Sequence, residues 1–305
     1  MFCSCGRPQL LTEIDADLKA INDLKKQAGE SSGAVAALLK TRVEQLKAEV
    51  SAEKSFRKGL RQSQKEIIDA ISLSLETVSP QTLMSLTNEQ LIDLMLQGGL
   101  GRSIDQYIED QDKIRDSISS LINTIEPSFN FDSINQQIDL IALQSANSVF
   151  DEIVIPSFQK NIKQALRDAT FTTSIKQAMS NLQSTMKRSE GSILTQVRTT
   201  ISQYGRSITA TAGAAAGLNH FLYTGALDGI TRNFCRALVN KVVTSKQMNQ
   251  LNNNQGLSVI TSGGGYNCRH SWSPVSLGFI KSAKLDLATN ADIKAANRGA
   301  KERKK

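Results

Sequence analysis

The sequence predicts a mostly α protein: a long helical N-terminal body followed by a small C-terminal α+β domain with a short antiparallel sheet. Three observations carry that prediction. Apolar residues recur at three- and four-residue steps through most of the chain up to Glu190. Prolines number only five in 305 residues, so little interrupts such helices. Beyond Gly191, short β-prone runs separated by Gly, Asn and Asp replace the helical texture. The expected organisation is a helical body over 1–190, a small domain over 191–280 and a basic, disordered tail over 281–305.

The elements follow in order. Leu11, Ile14, Leu18 and Ile21 fall on one face of a first helix that ends near Gly29. Ser31-Ser32-Gly33 reads as a turn. Leu39, Val43, Leu46 and Val50 alternate four- and three-residue steps, and the seam continues through Phe56, Leu60, Ile67 and Ile71, giving a helical hairpin with the first helix. After Pro80, Thr87-x-x-Gln90 and Ser103-x-x-Gln106 each carry a hydroxyl and an amide at the spacing of a capping box. Gly98-Gly99 marks a break between them, and Ile104, Ile108, Ile118, Leu121 and Ile125 form the stripe of the second helix, which Pro127 ends. Ile134, Ile138 and Ile141 continue the pattern, Pro156 predicts a kink, and helices are expected over 174–188 and 192–215. The β-prone runs are 221–224, 241–244, 257–261 and 268–276.

A hydrophobic share of 40% with only 5% aromatic residues suits packed helices better than a large compact enzyme. The net charge of +7 is concentrated: from Lys294 on, six basic residues stand against Glu302 alone, a net +5. Such a tail reads as a solvated segment or as a non-specific, salt-sensitive contact to nucleic acid through Lys301, Arg303, Lys304 and Lys305. Four cysteines without a charged-then-apolar leader predict no disulfide framework, no secretion and a reducing compartment. The most apolar stretch, 212–227, is too interrupted by Gly, Asn and His to span a membrane.

Chemistry-bearing residues gather between about 218 and 276. Cys235, Cys268 and His270 could ligate a tetrahedral metal such as zinc, with a fourth ligand from His220, Asp228, Cys3 or Cys5. The spacing lacks the paired short knuckles of common zinc sites, and the alternative is that the two thiols are small buried hydrophobes packed together. A cysteine nucleophile activated by His270 is the enzyme reading, though no third member is evident. Asp228, Arg232 and Arg269 read as turn-forming and carbonyl-clamping groups, and Trp272 as the anchor of the sheet's core. Gly263, Gly264 and Gly265 read as a sharp turn with positive φ. Cys3 and Cys5 have no assigned role.

In order along the chain stand Val197-Arg198-Thr199, Phe221 to Thr224, Asp228, Thr231-Arg232, Cys235, Lys241-Val242, Gly264-Gly265-Tyr266-Asn267-Cys268-Arg269-His270 and Pro274-Val275. This succession, over roughly 192–276, resembles the Mu F-like minor head protein family of tailed bacteriophages, also called phage head morphogenesis proteins. Thr200 stands where that family commonly has Glu, and Asn240 where a glycine usually precedes the Lys-Val strand; Asn tolerates a left-handed turn. The resemblance implies a structural protein of the virion head, assembled in the host cytoplasm, bound to portal or capsid subunits during head morphogenesis and DNA packaging. It implies no reaction and no cofactor. The alternative from another class is a metal- or thiol-dependent enzyme centred on Cys235, Cys268 and His270.

Overall fold

The structure is a computed structural model that describes residues 6–31, 33–171 and 174–302, with side chains from Asp17 onward. Cys3 and Cys5, and Arg303, Lys304 and Lys305, lie outside the described residues. Helices α1 (Gly6–Glu30), α2 (Gly33–Ser74), α3 (Pro80–Met84), α4 (Asn88–Met95), α5 (Gly101–Ile125), α6 (Asn135–Val149), α7 (Ile155–Phe171) and α8 (Ile175–Ala215) precede the first strand. The remainder is β1 (His220–Thr224), α9 (Asn233–Leu238), β2 (Lys241–Thr244), α10 (Ser245–Met248), α11 (Val259–Ser262), β3 (Ser271–Val275), α12 (Leu277–Ser282), β4 (Asp286–Leu287) and α13 (Asn290–Lys301). The protein is thus mostly α with a small α+β part near its C-terminus. Among the described residues no helix is long and apolar enough to cross a membrane.

The chain packs as two compact units. Among the described residues the first takes 6–10, 51–111 and 143–200. Here Phe56, Tyr107 and Phe150 form a three-ring cluster with centroids 5.6 to 6.0 Å apart, and the buried Tyr107 hydroxyl meets Ser145 Oγ at 2.9 Å. Gly59 lets α2 and α5 approach closely, since a Cβ there would lie 2.9 Å from Ser103 Oγ. The Thr87 capping box forms as expected. Gly98 and Gly99 leave helical geometry, Gly99 with φ +92°, and kink the chain over Leu96–Leu100 before α5. Ser103, expected as a helix cap, is instead inside α5, where its hydroxyl pairs with Ser63 Oγ at 2.9 Å. The expected stripe of α5 holds at Ile118, Leu121 and Ile125, which are buried, but not in the helix's first half, where Ile108 faces solvent and Ser103, Tyr107 and Gln111 lie inward. Instead of a sharp break, Pro156 follows one wide π turn over Phe150–Val154 and sits at the second residue of α7, in the first turn, where a helix has no partner for the N–H that proline lacks.

The second unit takes 11–50, 112–142 and 201–305 and holds the sheet. Strand order is β3-β1-β2-β4; the first two pairings are antiparallel and β2–β4 is parallel, so the sheet is mixed rather than antiparallel throughout. Alternation along β1 divides its residues between two cores. Leu222, with Val242 and Val275 from its neighbours, joins Ala20, Ile21, Leu24 and Ala28 of α1, Leu38 to Val50 of α2, and Leu121 and Ile125 of α5. Phe221 and Tyr223, with Val243 and Trp272, join Phe234, Cys235 and Leu238 of α9 and Ile293 and Ala296 of α13. The sheet is therefore the middle layer between helices. Leu18, placed by the sequence on the buried face of α1, is exposed, and Ala20, Ile21 and Leu24 take that face instead.

Three further expectations are corrected. The helices expected over 174–188 and 192–215 are one helix, α8, which runs through Gly191 without a break. The 257–261 run is not a strand; Val259–Ser262 forms a helical turn whose Val259 carbonyl accepts the Trp272 indole N–H at 3.0 Å. The 281–305 tail is not disordered as far as it is described: Thr289 caps α13 through a capping box with Asp292, and Ile293, Ala296 and Gly299 bury against α9. A Cβ at Gly299 would come within 2.8 Å of the Asn233 backbone, so this crossing needs glycine.

Candidate functional site

The residues singled out around Asp228 and Cys268 meet at one end of the sheet. β1 carries Tyr223 inward, α9 presents Cys235 on the face that also buries Phe234 and Leu238, and the Gly263–Asn267 turn returns the chain to Cys268 and His270 ahead of β3. The turn uses Gly263 at φ +54°, Gly265 at φ +106° and Asn267 at φ +55°. Gly264 is needed for space instead: a Cβ there would lie 2.6 Å from Cys235 Sγ.

Cys235 Sγ and Cys268 Sγ are 3.7 Å apart, and Cys268 Sγ is 3.9 Å from His270 Nδ1. All three ligating atoms lie within 4.8 Å of one another, and all three residues are buried. The Tyr223 hydroxyl sits 3.4 Å from Cys235 Sγ and 3.5 Å from Cys268 Sγ, while its ring lies between those of His270 and Trp272, with centroids at 5.4 and 4.1 Å. The Gly264 N–H donates to Cys268 Sγ at 3.2 Å. His270 Nε2 is buried without a hydrogen-bond partner, and Gly225 leaves room for that ring, since a Cβ there would lie 2.3 Å from its Cδ2.

The two thiols differ in acidity. The hydrogen bond with Cys235 holds the Cys268 thiol well below the ordinary value, with His270 and Arg206 acting in the same direction against burial. Cys235, the other half of that pair, is pushed up by the same bond and by burial. Burial likewise pushes the Tyr223 hydroxyl well up, so it stays protonated and can donate to sulfur.

Arginines fasten the loops around this centre. Arg232 donates to the Gly264 carbonyl at 3.0 Å and to the Tyr266 carbonyl at 2.6 Å. Arg206, from α8, donates to the carbonyls of Thr261 and Cys268. Arg236 donates to the carbonyls of Thr231 and Asp228. Asp228 accepts from the Ile230 N–H at 3.1 Å and from Thr231 Oγ1 at 2.8 Å, and receives the Arg269 fork on both carboxylate oxygens. Burial raises the Asp228 carboxyl, yet the Arg269 and Thr231 bonds outweigh it and hold the group well below the usual carboxylate range.

Of the residues named from sequence, Asp228, Thr231, Arg232, Cys235, Gly264, Gly265, Asn267, Cys268, Arg269, His270 and Trp272 belong to this assembly. Arg198 does not: it lies in the other unit, where its guanidinium is 3.7 Å from Glu53. Asp228 is committed to Arg269 and so is no ligand in this arrangement, and His220 is not in the convergent group. Lys301 is exposed on α13. The sequence reading missed Tyr223, Gly225 and Arg206. Strand alternation was the available signal for Tyr223; the other two become legible only once their loops are seen to meet.

The fold and site together define a helical protein bearing a small α+β region built around a buried Cys₂His centre. No known family, curated protein or solved structure matches the chain.

Proposed function

We propose that this chain is a structural minor head protein of a tailed bacteriophage, of the Mu F-like kind, that binds portal or capsid subunits during head morphogenesis. One observation supports this reading beyond the order of its motifs. The motif residues from Asp228 to His270 are spent on one another: their side chains clamp backbone carbonyls and neighbouring side chains, and both thiols face inward. Such a knot makes two loops rigid and presents no nucleophile to solvent. On those loops Leu227, Ile230 and Tyr266 are the exposed large apolar side chains, which suits a docking face with an aromatic and aliphatic centre. The basic residues at the C-terminus contact packaged DNA through phosphate.

Cross-linking mass spectrometry on particles from the source of this gene tests the proposal. Cross-links from the 227–231 or 264–269 loops to a portal or capsid subunit are expected. Absence of the protein from particles, with the protein made in quantity, would overturn it.

A further inference from the structure

From the convergence of Cys235, Cys268 and His270 with Tyr223, we infer that the small α+β region holds a structural zinc ion. The inference is independent of the phage reading. In tetrahedral zinc with bonds of about 2.3 Å to sulfur and 2.0–2.1 Å to nitrogen or oxygen, ligand atoms are about 3.8 Å apart for two sulfurs and about 3.5 Å for sulfur with a lighter atom. The two sulfurs here are 3.7 Å apart, and the Tyr223 hydroxyl oxygen is 3.4 and 3.5 Å from them, so these atoms already outline one face of such a tetrahedron. His270 Nδ1, 3.9 Å from Cys268 Sγ and within the 4.8 Å that spans all three ligand atoms, supplies the remaining corner once the imidazole moves inward by up to about an ångström. Tyr223 Oη caps the site.

Packing of two thiols as small hydrophobes does not account for the surroundings. The donors come from a strand, a helix and a turn that are far apart in sequence, and at three positions the backbone comes so close to them that only glycine fits: Gly263 and Gly264 at the sulfurs, Gly225 at the imidazole. An amide N–H and a guanidinium-held carbonyl support Cys268, the environment a thiolate requires. Two buried thiolates alone would be costly, but with a divalent cation the centre is neutral. Thiolate and imidazole donors together select zinc over magnesium or calcium. Binding releases about two protons as zinc displaces them from the thiols, leaving two Zn–S bonds, one Zn–N bond and the neutral Tyr223 oxygen at the fourth corner, with no change of oxidation state.

The reduced full-length chain, purified without chelators, is first assayed for zinc and then exchanged with cobalt(II). About one metal per chain is expected, with thiolate-to-cobalt charge transfer and the visible bands of tetrahedral coordination. Zinc should also slow the reaction of both thiols with a disulfide reagent. Cys235→Ser and Cys268→Ser should each lose most of the charge-transfer intensity, and Tyr223→Phe should weaken cobalt binding roughly 10- to 100-fold. The wild-type spectrum needs no variant to fold. If the reduced wild-type chain takes up neither metal stoichiometrically, or binds cobalt only with an octahedral, sulfur-free spectrum, the inference is overturned.

Discussion

Arg269 and Asp228 face each other fork to carboxylate, Nη1 to Oδ2 at 2.8 Å and Nη2 to Oδ1 at 3.0 Å, with side chains only 8% and 5% exposed. This pair ties the loop after β1 to the segment that carries Cys268 and His270. Its geometry is bidentate, so a point charge cannot replace it. Arg269→Ala leaves a buried carboxylate without its main partner and should destabilise the protein by about 3–5 kcal/mol, and Arg269→Lys should recover only part of that. Urea unfolding of the three proteins measures both numbers; equal stability of the Lys and Arg forms would refute the fork's role.

Acid sensitivity follows from two depressed carboxylates. The Lys241 ammonium and the Thr289 N–H hold the Asp292 carboxyl at about 2, and Asp228 also sits below the usual range. In the unfolded chain an aspartate titrates near 3.9, so on acidification the unfolded state takes up protons first. The stability these groups contribute is present above about pH 4 and is lost as pH falls towards about 2. Asp292→Asn should therefore be less stable than the parent at neutral pH and converge with it as pH approaches about 2. Curves that stay parallel across that window would remove Asp292 from the account.

Sequence reading succeeded where the physics is local. The α2 seam from Leu39 to Ile71 is buried throughout, Thr87 and Gln90 form their capping box, and Asn240 takes the left-handed conformation at φ +64°. The clamping roles of Asp228, Arg232 and Arg269 were also legible, because a carboxylate or guanidinium in a turn has few other ways to be satisfied. Failures came from tertiary context. Leu18 and Ile108 carry apolar side chains at helical spacing, yet the buried faces of their helices are set by α2 and the sheet in one case and by Ser63 and Ser145 in the other. The α13 capping box at Thr289 and Asp292 was readable, but the surrounding basic residues obscured it, and the glycine that admits its crossing with α9 means nothing until α9 is known.

Gly225 tests whether His270 is held by shape. A Cβ at this position would overlap the imidazole at 2.3 Å from Cδ2, and that ring has Tyr223 stacked on it. Gly225→Ala should therefore displace His270 and cost about 1–3 kcal/mol, with faster modification of Cys268 by a thiol reagent as its imidazole neighbour moves. Unfolding and thiol-modification rates should shift together. A stable variant with unchanged thiol kinetics would show that the ring has room the structure does not display.

The C-terminal helix turns a charge cluster into a directed surface. Ile293, Ala296 and Gly299 of α13 are buried against α9, which leaves Lys294, Arg298 and Lys301 exposed at four- and three-residue spacing, a single basic stripe. Deleting the segment would confound charge with packing, since Ala296 and Gly299 would go with it. Replacing Lys294, Arg298 and Lys301 by Gln keeps the buried face and removes three charges. If the stripe contacts duplex DNA, the slope of log binding constant against log salt should fall in magnitude by about 2 to 3, while the urea midpoint moves little. An unchanged slope would leave the stripe as a solvated face and confine any phosphate contact to Arg303, Lys304 and Lys305.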